Sequence, residues 1–117
     1  MQNQKLMVKL KQASAEAKKN NYLKSITLCK SIIKKAPQHA AAYKLLATNF
    51  IKLNRFDEVE TTLKKVINLV NVEEERFPLQ HLLGCNYIHQ EQAEKALTIL
   101  ESLFNKTGDS KVLLDIA

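Results

Sequence analysis

Apolar residues recur along this chain with the period of an α-helix, and short polar breaks separate the runs. The clearest stretch is residues 40–71, AAAYKLLATNFIKLNRFDEVETTLKKVINLVN. Tyr43, Leu46, Ala47 and Phe50 fall at i, i+3, i+4 and i+7, one face of a helix. Val59, Leu63, Val66, Ile67 and Val70 mark the face of a second helix, and Asn54-Arg55 makes the turn between them. Ala47 is the small residue on the first face, where its lack of bulk lets the second helix approach closely.

The same pattern returns on both sides. A shift of 34 residues back from Ala47, Val59 and Leu63 lands on Ala13, Ser25 and Cys29; a shift of 37 forward lands on Gly84, Ala96 and Leu100. The longer second step implies a three-residue insertion, placed most simply in residues 72–76. The pattern predicts helices over about 3–19, 22–35, 39–53, 56–70 and 92–106, a fifth that opens near the Glu73-Glu74-Glu75 triplet with Pro78 in its first turn and ends near Gln90, and the start of a seventh at 111–117. In the first of these Leu6, Leu10, Ala13 and Ala17 form the stripe, rotated or slipped by about one residue against the later copies. Ile26, Cys29, Ile32 and Ile33 point inward in the second; Ala93, Ala96, Leu97, Leu100 and Leu103 do so in the sixth.

Breakers and caps agree with these boundaries. Asn20-Asn21 suits a tight helix exit, because Asn tolerates the left-handed conformation. Pro37 stops the second helix. Asp57 and Glu58, and the triplet Glu73-Glu74-Glu75, place negative charge at helix N-termini, where the macrodipole favours it. Pro78 is expected in the first turn of the fifth helix, where its missing N–H costs nothing. Gly108 with Asp109 and Ser110 reads as one helix stop followed by another start.

The spacing Tyr43-x2-Leu46-Ala47-x2-Phe50, then Val59-x3-Leu63, resembles the tetratricopeptide repeat, whose signature is W-x2-L-G-x2-Y, A-x3-F and P. Leu83-Gly84-x2-Tyr87 is the best copy in the chain, and Pro37 closes the first unit. The resemblance implies an all-α, right-handed α-α superhelix of three helix-turn-helix repeats, at about 6–39, 40–76 and 77–110, plus the start of a seventh helix at 111–117. The whole of residues 1–117 then forms one domain. It also implies an interaction scaffold that binds a peptide or partner segment in a concave groove lined by the first helix of each repeat. An alternative rests on the run from Leu28-Cys29 through Pro37-x-His39 to Leu45-Leu46-Ala47, which looks similar to repeats that precede bacterial sulfotransferase or glycosyltransferase domains. On that reading the chain is the N-terminal docking or regulatory module of a larger enzyme. Family members that clamp a chaperone's C-terminal carboxylate use Lys and Asn at positions that here read Leu10, Ser14, Leu45, Pro78 and Leu82, so binding to such tails is not expected.

Composition narrows the picture. Apolar content of 45% and charged content of 26% suit a globular chain, and two Gly and two Pro suit long helices with few turns. Residues 1–12 lack the apolar core of a secretory signal, no run approaches the ~20 apolar residues of a membrane span, and the expected location is the cytoplasm. Cys29 and Cys85 show no disulfide or metal spacing and read as reduced structural thiols. Net charge is +6 but unevenly placed. Residues 1–39 hold nine Lys against one Glu, +8; residues 40–76 balance six against six; residues 77–117 hold three against five, −2. The basic first repeat suits an acidic partner, an anionic lipid surface or nucleic acid, or simply a solvated end face.

No catalytic constellation is present: no G-x-S-x-G, no P-loop, and too few glycines for a phosphate cradle. The expectation is a non-enzymatic chain without cofactor or metal. His81, Cys85 and His89 fall at i, i+4 and i+8, but about 12 Å of helix separates the outer pair and no other helix supplies a fourth ligand. Nucleic acid is disfavoured as a partner, because all seven aromatics sit on core stripes or helix junctions. Aligning the first helices gives three rows: Leu10–Lys44–His81, Ser14–Thr48–Cys85 and Lys18–Lys52–His89. Ser14, Lys18, Lys44, Thr48, Lys52, His81, Cys85 and His89 are the candidate peptide-binding residues. Lys18, Lys44 and Lys52 suit an acidic protein or peptide. The apolar residues of 111–117 suggest self-association through that end, or a longer native protein.

Overall fold

In the computed structural model, residues 2–107 are described. Among them are six α-helices and no strand: α1 (Gln2–Lys18), α2 (Tyr22–Lys35), α3 (Ala40–Lys52), α4 (Phe56–Leu69), α5 (Glu73–His89) and α6 (Ala93–Thr107). Predicted boundaries agree within a residue except at the start of α5, which lies further ahead of Pro78 than expected. The expected helix stop at Gly108 and the seventh helix at 111–117 lie outside the described residues.

Each helix packs on the next along the chain, and α3 also packs on α5 and along one edge on α1. The odd-numbered helices therefore form one layer and the even-numbered helices a second. The main core runs between the layers and holds Ala13, Cys29, Tyr43, Leu46, Ala47, Phe50, Val59, Leu63, Val66 and Leu83. Fully burying each of the larger apolar side chains there contributes ~1.5–3 kcal/mol.

Three turns within this stack have the same backbone. Asn20, Asn54 and Glu91 adopt φ of 67°, 60° and 61°. In each, the next amide reaches back to a carbonyl five residues earlier: Asn21 to Glu16, Arg55 to Phe50 and Gln92 to Tyr87, all at 2.8 Å. This bond satisfies a carbonyl that the helix end would leave unpaired. The turns are spaced by the same 34 and 37 residues as the apolar pattern. The first copy is thus not slipped. Its turn is in register, while Leu6 and Ala13 are buried and Gln12, opposite Leu46 in the alignment, is exposed. No helix among the described residues covers that side of α1, so polar residues are tolerated there.

Small residues mark the closest approaches. Ala47 is fully buried. At Gly84 an added Cβ would lie 2.6 Å from Leu100 Cδ2 and 2.8 Å from its Cγ, so α5 and α6 meet too closely for a side chain. The three-residue insertion becomes helix: α5 begins at Glu73, one turn earlier than α3 does in the alignment.

Two expectations need correction. Pro78 is the sixth residue of α5, not part of its first turn. The glutamates start the helix early, and Pro78 then leaves the Glu74 carbonyl without its helical N–H donor. Ala93 and Leu97 are not inward: Ala93 is exposed and Leu97 is 40% exposed, while Ala96, Leu100 and Leu103 are buried. Among the described residues only α5 packs closely on α6, so the covered arc is narrower than the apolar arc.

Candidate functional site

The eight candidate residues all lie on the odd-numbered helices, within the layer where α1, α3 and α5 stand side by side. Lys18, Lys52 and His89 are the last residues of α1, α3 and α5, and the two lysine charges complement the negative ends of their helix dipoles. Lys18, Lys44 and Lys52 are exposed; Ser14, Thr48, His81 and Cys85 are half-buried. The Thr48 hydroxyl donates to the Lys44 carbonyl at 2.8 Å, so its hydrogen is used within α3. His89 departs from the other two members of its row. Its ring stacks on Phe56 at the start of α4, with centroids 5.5 Å apart and planes within 5°. Asn86 Nδ2 donates to the Phe56 carbonyl at 3.1 Å, and Gln90 Nε2 to the Asp57 carboxylate at 3.2 Å. His89 is therefore part of a latch between α5 and α4.

Sequence reasoning missed a feature at the opposite end of the layer. A depression of about 440 Å³ opens between the first two turns of α3 and of α5. Ala40, Ala41, Pro78 and Leu79 give it apolar walls, and Lys44 shares it with Glu74 and Glu75. At its edge His39 caps α3, its Nδ1 accepting from the Ala42 amide at 3.2 Å. The signal in the sequence was the insertion itself, which extends α5 beside the start of α3 and brings two carboxylates to the lysine.

The buried polar pair Asn49–Ser25 was also missed. Asn49 Nδ2 donates to Ser25 Oγ at 2.8 Å, and both residues are buried. It ties α3 to α2 beneath the candidate layer. Cys29 is fully buried nearby; burial pushes its thiol from 9.0 up to about 11, opposed by a hydrogen bond with Ser25. Glu16 is held below the usual carboxylate range, first by the Asn21 amide, whose Nδ2 donates to it at 2.8 Å. Among the described residues no group of three potential ligands gathers to hold a metal ion, and no helix is long and apolar enough to cross a membrane.

No curated protein matches the sequence. Among solved structures the fold is similar to YrrB, described as "a TPR protein with an unusual peptide-binding site", with a TM-score of 0.74 at 16% sequence identity. The match covers 92% of this chain and 55% of that one, so the chain spans about half the length of the protein it resembles. At this identity the likeness establishes the fold alone. The family model described as Tetratricopeptide repeat matches residues 16–76. That span takes in the buried Ala47, Val59 and Leu63 and the turns at Asn20 and Asn54, and the chain belongs to the tetratricopeptide repeat family.

Proposed function

We propose that residues 1–117 form one interaction domain of three repeats, at about 6–39, 40–76 and 77–110, wound as a right-handed superhelix. Its role is to hold an acidic segment of a partner protein along α1, α3 and α5. The observation that carries this reading is the packing asymmetry: the odd-numbered helices approach one another, and the even-numbered helices do so less. Such a stack bends with the odd-numbered layer inside, which makes that layer the floor of a groove. The peptide-binding site named for YrrB supports a peptide as the ligand.

Lys18 and Lys52 are exposed and make no ion pair among the described residues. Lys44 lines one depression together with Glu74 and Glu75. Neighbouring helices pack about 8–10 Å apart, and an extended chain advances about 3.3–3.6 Å per residue. A ligand crossing from α1 to α3 therefore places successive acids about three residues apart.

The test uses a fluorescent peptide with Glu at every third position, read by anisotropy at two salt concentrations. Lys44→Glu combined with Lys52→Glu should weaken binding and flatten its salt dependence, while circular dichroism stays unchanged. Unchanged affinity and unchanged salt dependence would remove the groove proposal and leave the fold intact.

A further inference from the structure

No acidic residue occurs between Glu16 and Asp57. Twelve basic residues against one acid give residues 1–56 a net charge of +11; six against eleven give residues 57–117 a charge of −5. The one acid, Glu16, is already engaged by Asn21 and by Lys24 at 3.7 Å. Among the described residues, the only other ion pair made by these twelve is Arg55 with Glu58. The positive charge is thus largely uncompensated within the fold.

Part of it lies on a surface separate from the groove. α1 is covered by α2 and along one edge by α3. On the side that no helix covers among the described residues, Lys5 and Lys11 flank Val8 within an arc of roughly 120° at 3.6 residues per turn, and Lys19 follows just past the helix end. All three lysines are exposed. Val8 is 56% exposed and its neighbour Met7 49% exposed, so apolar surface sits among the cations.

We infer that this outer face of α1 is a peripheral docking surface for an anionic phospholipid bilayer. Three observations select that occupant. Eleven of the twelve basic residues are Lys, a point charge suited to a diffuse negative surface, whereas Arg is favoured for forked recognition of single phosphates. No aromatic residue occurs before Tyr22, so α1 offers nothing for a nucleic-acid base to stack on. Met7 and Val8 leave water when they enter the headgroup region between lysines that pair with lipid phosphates. The contact lies on the membrane and does not cross it.

The experiment is co-sedimentation of the full chain with phosphatidylcholine vesicles, with and without phosphatidylserine, alongside a single-stranded RNA homopolymer. The protein should bind vesicles only when phosphatidylserine is present, and added salt should release it. Each lysine near an anionic surface contributes about five-fold in affinity, so Lys5→Gln, Lys11→Gln and Lys19→Gln together should cost about a hundred-fold. Val8→Ser should weaken vesicle binding further and leave the melting temperature unchanged, because Val8 is exposed. Absence of phosphatidylserine-dependent binding would overturn the inference, and so would binding that the triple variant leaves unchanged. RNA binding of equal strength, with no effect of Val8→Ser on the vesicles, would replace the bilayer with a general polyanion site. None of these variants touches Lys44 or Lys52, so the outcome is separable from that of the groove test.

Discussion

Replacing Gly84 by alanine sets two opposing effects against each other, and the geometry decides between them. In an unobstructed helix interior the change should stabilise by ~1 kcal/mol, because alanine loses less conformational freedom than glycine. Here the new Cβ would meet Leu100 Cδ2 at 2.6 Å, Cγ at 2.8 Å and Cδ1 at 3.4 Å. Carbon atoms prefer about 3.5–4.0 Å, so Leu100 or the helix must shift by nearly 1 Å. Leu100 is fully buried, in a cluster with Leu103, Phe77, Ile88 and Phe104, and has little room to rotate away. Overpacking of this kind costs ~1–3 kcal/mol, which leaves Gly84→Ala neutral to ~2 kcal/mol destabilising. Leu100→Ala removes the obstruction, so in that background Gly84→Ala should stabilise by ~1 kcal/mol. Urea denaturation followed by far-ultraviolet circular dichroism on the four proteins of the cycle gives the coupling, expected at ~1–3 kcal/mol. If Gly84→Ala stabilised both backgrounds equally, α5 and α6 would not meet at this glycine and the repeat register would be wrong.

Other substitutions test other parts of the fold. Leu63→Ala, at a fully buried position in α4, should cost ~2–5 kcal/mol through the cavity it leaves, and a melting temperature equal to wild type would place Leu63 outside the core. Glu91→Gly should stabilise by ~0.5–1 kcal/mol, because Glu91 holds φ of 61° where the two matching turns use Asn; a loss of stability would show that the turn is not left-handed. Cys29, with its thiol pushed up to about 11 from 9.0, should resist alkylation in the native protein and react only on unfolding. Because the unfolded chain releases that proton first, the thiol's contribution should decline as pH rises from 9.0 to about 11, and replacing Cys29 with Ala should reduce that decline in urea titrations.

The layered packing was legible because two independent signals coincide. The apolar period places Ala13, Ala47 and Gly84 in register, and the Asn residues at 20 and 54 announce two of the three left-handed turns. Glu91 carries no such signal, since glutamate has no preference for that conformation. Periodicity also fails where it says which residues share a face but not how wide the covered arc is. Leu97 has the right phase on α6 yet remains 40% exposed, because a single helix packs closely beside it among the described residues. The Asn49–Ser25 bond was invisible to a pattern that tracks only apolar positions. At the candidate site the sequence identified the rows but not their surroundings. His89 was read as the third member of a basic row, and its stacking on Phe56 was not foreseen. Glu74 and Glu75 were read as helix-start charges and border the same depression as Lys44. Both depend on how α5 is positioned against other helices, which local spacing does not encode.

The central claim is that the layer of α1, α3 and α5 is the ligand-binding face. Amide chemical-shift mapping tests it most directly, with the isotope-labelled protein titrated by the Glu-rich peptide. The account predicts shifts concentrated around Ser14, Lys18, Lys44, Thr48 and Lys52, with α4 and α6 little affected. Shifts confined instead to the cleft between α4 and α6, around Ile67, Ile99 and Lys106, would contradict it.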